Sequence, residues 1–142
     1  MCSSDLEKVR RACAIARKHG FQYIWIDSCC IDTTSSSQLS EATNLMYVWY
    51  QDTVVCHAYI ADVPRREGHY QSWSREAFRD SMWFTRGWTP QELIAPGEVA
   101  FLSKEWASLR TKESLADLIE EITDIERAVL TARFIWLLLC FI

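Results

Sequence analysis

The sequence has no run of lysine or arginine and no basic stripe along any predicted helix. With 15 basic against 19 acidic side chains its formal charge is −4, which argues against nucleic acid as a main partner. It also lacks a membrane-length apolar segment. The most apolar stretch, ARFIWLLLCFI from Ala132 to Ile142, is far shorter than the about 20 residues a spanning helix needs. There is no G-x-G-x-x-G and no P-loop, which removes support for a dinucleotide-dependent dehydrogenase or an ATPase. Cys29, Cys30, Cys56 and His57 invite a zinc reading, but no C-x-x-C or H-x-x-x-H spacing supports one, so no metal is expected. Met1 is followed by the polar CSSDLEK rather than an apolar leader. The six cysteines are therefore expected to be reduced thiols of a cytoplasmic protein, each behaving as a small buried hydrophobe. No internal repeat and no low-complexity linker divides the chain, so its 142 residues are read as one domain, long enough to bury a core.

What is present alternates between strand and helix. Ser4, with Glu7 three positions on, makes a capping box; Leu6, Val9, Cys13 and Ala16 recur at helical spacing, and Gly20 closes the helix. Phe21 to Ile26 is rich in aromatic and β-branched residues and predicts a strand. A second capping box, Ser35 to Gln38, opens a helix to about Gln51, and Val54 to Ile60 predicts a second strand. Strand, helix and strand with short links make a right-handed βαβ unit with parallel pairing. Asp62 to Ser81 reads as a surface excursion with a short helix near Arg75 to Asp80, and His69 within it as solvated. Thr89-Pro90-Gln91-Glu92 makes a third capping box, with Thr89 as cap, Pro90 at the first helical position and Glu92 as its partner. That helix ends near Ala95. Glu98 to Leu102 predicts a third strand and Lys112 to Ile122 a further helix. The apolar tail is either a buried terminal helix or an exposed stump. Seven tryptophans imply a core or pocket lined with flat, amphipathic rings.

The chemistry concentrates at the carboxyl end of the first strand, where open α/β sheets place ligands. Asp27 and Asp32 flank the end of that strand, and either could accept ribose hydroxyls, pair with Arg86 or cap the turn. The turn chemistry around it favours capping for Asp32, and Asp27, the last strand residue, is the better ligand candidate. On the following helix Glu41 falls outside the polar sector of Ser40, Thr43, Asn44 and Gln51, between Leu45 and Val48. A carboxylate there is either half of a structural ion pair, with Arg86 or another base, or the lining of a cleft. Cys29 and Cys30 could include a nucleophile, with His57 as the only nearby base. Arg86 offers a planar fork for a carboxylate or phosphate, Gly87 suggests a tight backbone between aromatics, and Gln91 is free to face a ligand or the core.

GFQYIWIDSCCID (Gly20 to Asp32), LSEATNLMYVWYQD (Leu39 to Asp52), VCHAYIADV (Val55 to Val63) and SMWFTRGWTPQELIAP (Ser81 to Pro96) together resemble the fungal heterokaryon incompatibility (HET) domain family, and WASLRTKESL (Trp106 to Leu115) continues the likeness. The resemblance spans about Leu6 to Ile125. It implies a HET domain over residues 1–125, with 126–142 an unassigned tail. It also implies a flavodoxin-like, TIR-like parallel α/β sheet flanked by helices, lacking the first strand that family members carry. The function implied is a cytoplasmic trigger of programmed cell death in non-self recognition, acting by self-association or with a NOD-like receptor-type partner, and requiring no cofactor. The alternatives are a TIR-like NAD glycohydrolase or an inactive fragment. In the NAD-cleaving version Glu41 is the catalytic carboxylate, and Asp27, Cys29, Arg86, Trp88 and Gln91 are ligand-binding.

Overall fold

Helix α1 runs from Ser3 to Lys18 in the computed structural model, which describes residues 3–31, 34–65, 73–132 and 138–141. Asp32, His69 and the capping side chain of Ser4 lie outside the described residues. Helix α1 ends as the sequence predicts. Gly20 takes a φ of 79°, Phe21 N donates to Ala16 O and Gly20 N to Arg17 O, each at 3.0 Å. This paired closure needs a left-handed residue, which glycine supplies without strain. Phe21 then packs beside Ala12, Ala16 and Ile15.

Strand β1 is only Trp25–Ile26, shorter than predicted at its amino end, where Phe21 to Ile24 join no ladder; Asp27 then begins the helical turn α2, Asp27–Cys30. Ile31 N donates to Asp27 O at 3.2 Å and closes that turn. Helix α3 is Ser36–Gln51, and Ser35 Oγ accepts from Gln38 N at 3.4 Å as its cap. Strand β2 is Thr53–Tyr59. Helix α4, Arg75–Arg79, is capped by Ser74, and a 3₁₀ turn spans Met82–Thr85. Helix α5 is Thr89–Ile94, β3 is Val99–Leu102 and β4, which the sequence pattern did not reveal, is Ser108–Thr111. A 3₁₀ turn, Glu113–Leu115, leads into α6, Ala116–Thr123, followed by α7, Arg127–Leu130, and β5, Leu138–Phe141.

The chain is α/β, with a five-stranded sheet of order β1-β5-β2-β3-β4. Strands β1, β5, β2 and β3 are parallel, and β4 returns antiparallel to β3, so the sheet is mixed. Two expectations change. The first two predicted strands run parallel but are not neighbours. The described end of the apolar tail, Leu138–Phe141, is neither helix nor stump: as β5 it lies between them, pairing Trp25 with Cys140 on one side and Cys56 with Cys140 on the other. A parallel strand inside a sheet is covered on both faces, so its sequence is apolar without alternation. That pattern is shared with a buried helix segment, and only the pairing distinguishes the two.

Period-two alternation along β2 and β3 divides the core. Cys56, Ala58, Ile60, Val99 and Phe101 join Met46 and Tyr50 of α3 and the side chains of α5, α6 and α7. Val55, Tyr59 and Leu102 face Ala12 and Ala16 of α1. Helix α3 is held by one narrow stripe, Ala42, Met46 and Tyr50. Buried Lys112 ties the two ends of the larger core together: its Nζ donates to Leu93 O at 2.9 Å and Pro96 O at 2.6 Å, satisfying carbonyls that the end of α5 leaves open.

Candidate functional site

A cleft of about 680 Å³ opens where β1 and β2 end. One wall is α1, through Asp5, Lys8, Val9 and Ala12. Ile26 and Asp27 come from the end of β1 and the start of α2. Tyr59 ends β2 and Ala61 and Asp62 follow it, and Met82, Trp83, Thr85 and Arg86 belong to the 3₁₀ turn and its exit; Trp106 completes the lining. The position is the one parallel sheets favour, because strand ends there diverge into loops.

Each element is fixed locally. Asp62 accepts from Ser81 Oγ at 2.7 Å and from Met82 N at 2.8 Å, so this carboxylate anchors the 3₁₀ turn. Ser81 Oγ in turn accepts from Trp83 N. Thr89 does not cap α5 as predicted. Trp88 holds the cap position without a side-chain bond, and the buried Thr89 hydroxyl donates to Trp83 O, tying α5 to the turn that carries Trp83. Gly87 has an ordinary φ, and a Cβ there would meet nothing within 4 Å. The tight backbone expected at that position is absent.

The electrostatics turn on Arg86 and Glu92. Glu92 was assigned to the capping box; it is instead 1% exposed, with Oε1 3.9 Å from Arg86 Nη2. Its Oε2 has no hydrogen-bond partner among the described residues. Burial pushes its pKa up to about 7, with Arg86 pulling it down and Asp27 pushing it further up. Two more buried donors of the same segment are unmatched, Trp83 Nε1 and Gln91 Nε2. Buried polar atoms are rarely left so in a finished core.

The sequence-derived site residues divide. Asp27 and Arg86 line the cleft together. Gln91 is half-buried, Trp88 and Cys29 are exposed, and none of the three lines it. Glu41 is exposed and is not among the lining residues. The flank it shares with Leu45 and Val48 faces solvent, since both of those are exposed too. Neither environment inferred for Glu41, a buried ion pair or a cleft wall, is present, and the carboxylate beside Arg86 is that of Glu92. His57 is buried against His19, ring centroids 5.8 Å apart, and burial first and His19 second lower its pKa to about 4. It is thus a neutral core histidine. The described cysteines Cys13, Cys29, Cys30 and Cys56 are unbridged. Among the described residues no three His, Cys, Asp or Glu side chains gather to hold a metal ion. No helix among them is long and apolar enough to cross a membrane.

Four contributors were missed: Asp5 and Lys8 of α1, Tyr59, and Trp106. Tyr59, last in a strand at the ligand-bearing edge, had a signal. Trp106 lies in no predicted element and had none.

Comparison with known proteins places these residues in a lineage. The family model described as Heterokaryon incompatibility protein (HET) matches residues 3–71. Vegetative incompatibility protein HET-E-1 of Podospora anserina is 41% identical over 120 residues, which cover 83% of this chain. The chain spans only 9% of the length of that curated relative. No solved structure matches.

Proposed function

The chain belongs to the heterokaryon incompatibility (HET) family, and from that membership we propose that it is a signalling segment of fungal non-self recognition whose cleft binds a nucleotide-type ligand, with NAD as the compound to try first. The observation that carries the ligand reading is the meeting of Asp27 and Arg86 on one cleft at the carboxyl edge of the sheet. A carboxylate accepts from sugar hydroxyls, and a guanidinium fork holds a phosphate. Lys8 adds a second cation to the same lining, 4.0 Å from the Asp5 carboxylate, and Asp5 and Asp62 add two further carboxylates. The volume suits a ligand of drug or nucleotide size.

Signalling would follow through self-association, leading to cell death. Support for this half lies on α3, where the apolar side chains of Leu45, Tyr47 and Val48 are exposed and open to a second copy. If NAD is also cleaved, the carboxylates in the cleft lining are Asp5, Asp27 and Asp62, of which Asp62 already accepts from Ser81 Oγ and Met82 N; Glu41 does not line it.

Calorimetry with NAD tests the binding, and assay of free nicotinamide tests cleavage. The wild-type chain should bind NAD, and Arg86→Ala should weaken binding at least tenfold while its melting curve is kept. Expression in a yeast host should kill, and Arg86→Ala should relieve killing. A folded wild-type protein that does not bind NAD refutes the ligand reading.

A further inference from the structure

Trp106 stands in the tight turn between β3 and β4 with a backbone φ of 64°. A bulky L-residue avoids this left-handed region, and holding one there requires surroundings that over-determine it. They do so here. Ser103 N donates to Ala107 O and Trp106 N to Ser103 O, each at 2.8 Å. Ser103 Oγ accepts from Glu105 N at 3.2 Å and Ala107 N at 3.3 Å. Glu105 Oε2 accepts from Ser103 Oγ at 3.0 Å and from Arg65 N at 2.8 Å, pinning the turn to the chain that leaves β2.

The strained turn lays the indole on Tyr59, the rings stacked with centroids 4.3 Å apart and 18° between planes. Tyr59 is itself held, its hydroxyl donating to Lys104 O at 3.1 Å. Yet this rigid pair is not sealed into the core. Both rings stay half-buried and both line the cleft. Six hydrogen bonds around one turn, holding an aromatic pair at the mouth of a cavity, fit a ring that meets a ligand better than a ring that only packs.

We propose that the Tyr59–Trp106 pair is a stacking platform for the flat ring of the cleft's ligand, with Arg86 and Lys8 of the same lining taking its anionic part. This rests on the nucleotide reading above and adds the subsite that reads the base. Aromatic platforms tolerate any base because each has a π-face, so the site selects for the presence of a base rather than its identity.

AMP and ribose 5-phosphate, which differ by the base alone, are the probes. Wild-type protein should bind AMP at least tenfold more tightly. Trp106→Ala and Trp106→Gly should bring AMP down to the affinity of ribose 5-phosphate and leave the latter unchanged; Trp106→Phe should keep most of the preference. Glycine accepts the left-handed backbone, so the Gly variant separates loss of the ring from loss of the fold. Equal affinity of the two probes for wild-type protein overturns the platform while leaving the cleft reading in place, and this comparison needs no variant. A folded Gly variant that still prefers AMP overturns it too. If neither probe nor NAD binds, the cleft reading fails and the platform falls with it.

Discussion

The guanidinium of Arg86 lies 3.9 Å from the carboxylate of Glu92, and only the first of the two side chains reaches solvent. Arg86 faces the cleft with its charge, while Glu92 stands behind it with one oxygen unmatched. Near neutral pH this carboxylate is about half protonated, its pKa raised to about 7 chiefly by burial. Arg86 is therefore only partly neutralised from behind, which leaves it able to attract an anion from the front.

The same group writes itself into stability. The folded pKa of Glu92 lies above its unfolded value of 4.5, so the native state holds the proton more tightly. Its contribution is most favourable below pH 4.5 and is lost as pH rises through 7, a change on the order of 3 kcal/mol. Glu92→Gln should remove that fall. Urea denaturation of the two proteins from pH 4.5 to 8 should show their difference growing with pH in favour of the variant; a constant difference would contradict the burial argument.

His57 acts with the opposite sign. Its folded pKa of about 4 lies below the unfolded 6.5, so the unfolded chain takes up the proton first. Stability from this residue is complete above pH 6.5 and lost as pH falls toward 4, again by roughly 3 kcal/mol. Between 4.5 and 6.5 the two groups oppose each other, and their combined effect on the wild-type protein is expected to be small. His57→Leu should unmask the Glu92 slope there, with stability falling as pH rises; a variant whose profile still matches the wild type removes His57 from the account.

Glu41 and Asp27 should separate cleanly. Glu41 is exposed on α3, so Glu41→Gln should change stability by no more than about 0.5 kcal/mol and leave NAD binding as it was. Asp27→Asn alters a cleft residue and should weaken NAD binding severalfold with a melting curve close to wild type. The reverse ranking of the two variants would move the site off the cleft and onto α3.

Strand β5 is the most demanding position for the backbone. It pairs on both sides, with β1 and with β2, so a proline within it removes a ladder donor from an interior strand, where proline is essentially not found. Leu139→Pro should abolish the cooperative thermal transition followed by circular dichroism. A proline at Arg110 in β4, which pairs only with β3, should leave a folded protein with a lowered midpoint. If both variants melt alike, β5 is not central to the folded state.

Much of the architecture was legible because its causes are local. Gly20 closes α1 through its own φ, Ser35 caps α3 by accepting from an N–H three residues on, and the alternation of β2 and β3 needs only neighbours in sequence. The α/β class and the placing of Asp27 and Arg86 near one sheet edge were within reach for the same reason. The family signature lies in these local segments as well.

Other features were decided by partners distant in the chain. The wheel of α3 shows that Glu41 shares a flank with Leu45 and Val48. Which flank is buried depends on where the sheet lies, and the sheet took the Ala42, Met46 and Tyr50 stripe. Glu92 looked like a capping partner until Thr89 was drawn away by Trp83 O, leaving the carboxylate in the interior. Leu138–Phe141 became a strand because a gap between β1 and β2 offered it two rows of backbone groups. By itself, then, the sequence determined where helices start and stop and which residue types could carry chemistry, since dihedral preferences and caps act over a few residues. The tertiary structure alone decided which apolar stripe is core, which carboxylate is buried and which rings meet at the cleft, because burial and pairing are properties of segments brought together only by folding.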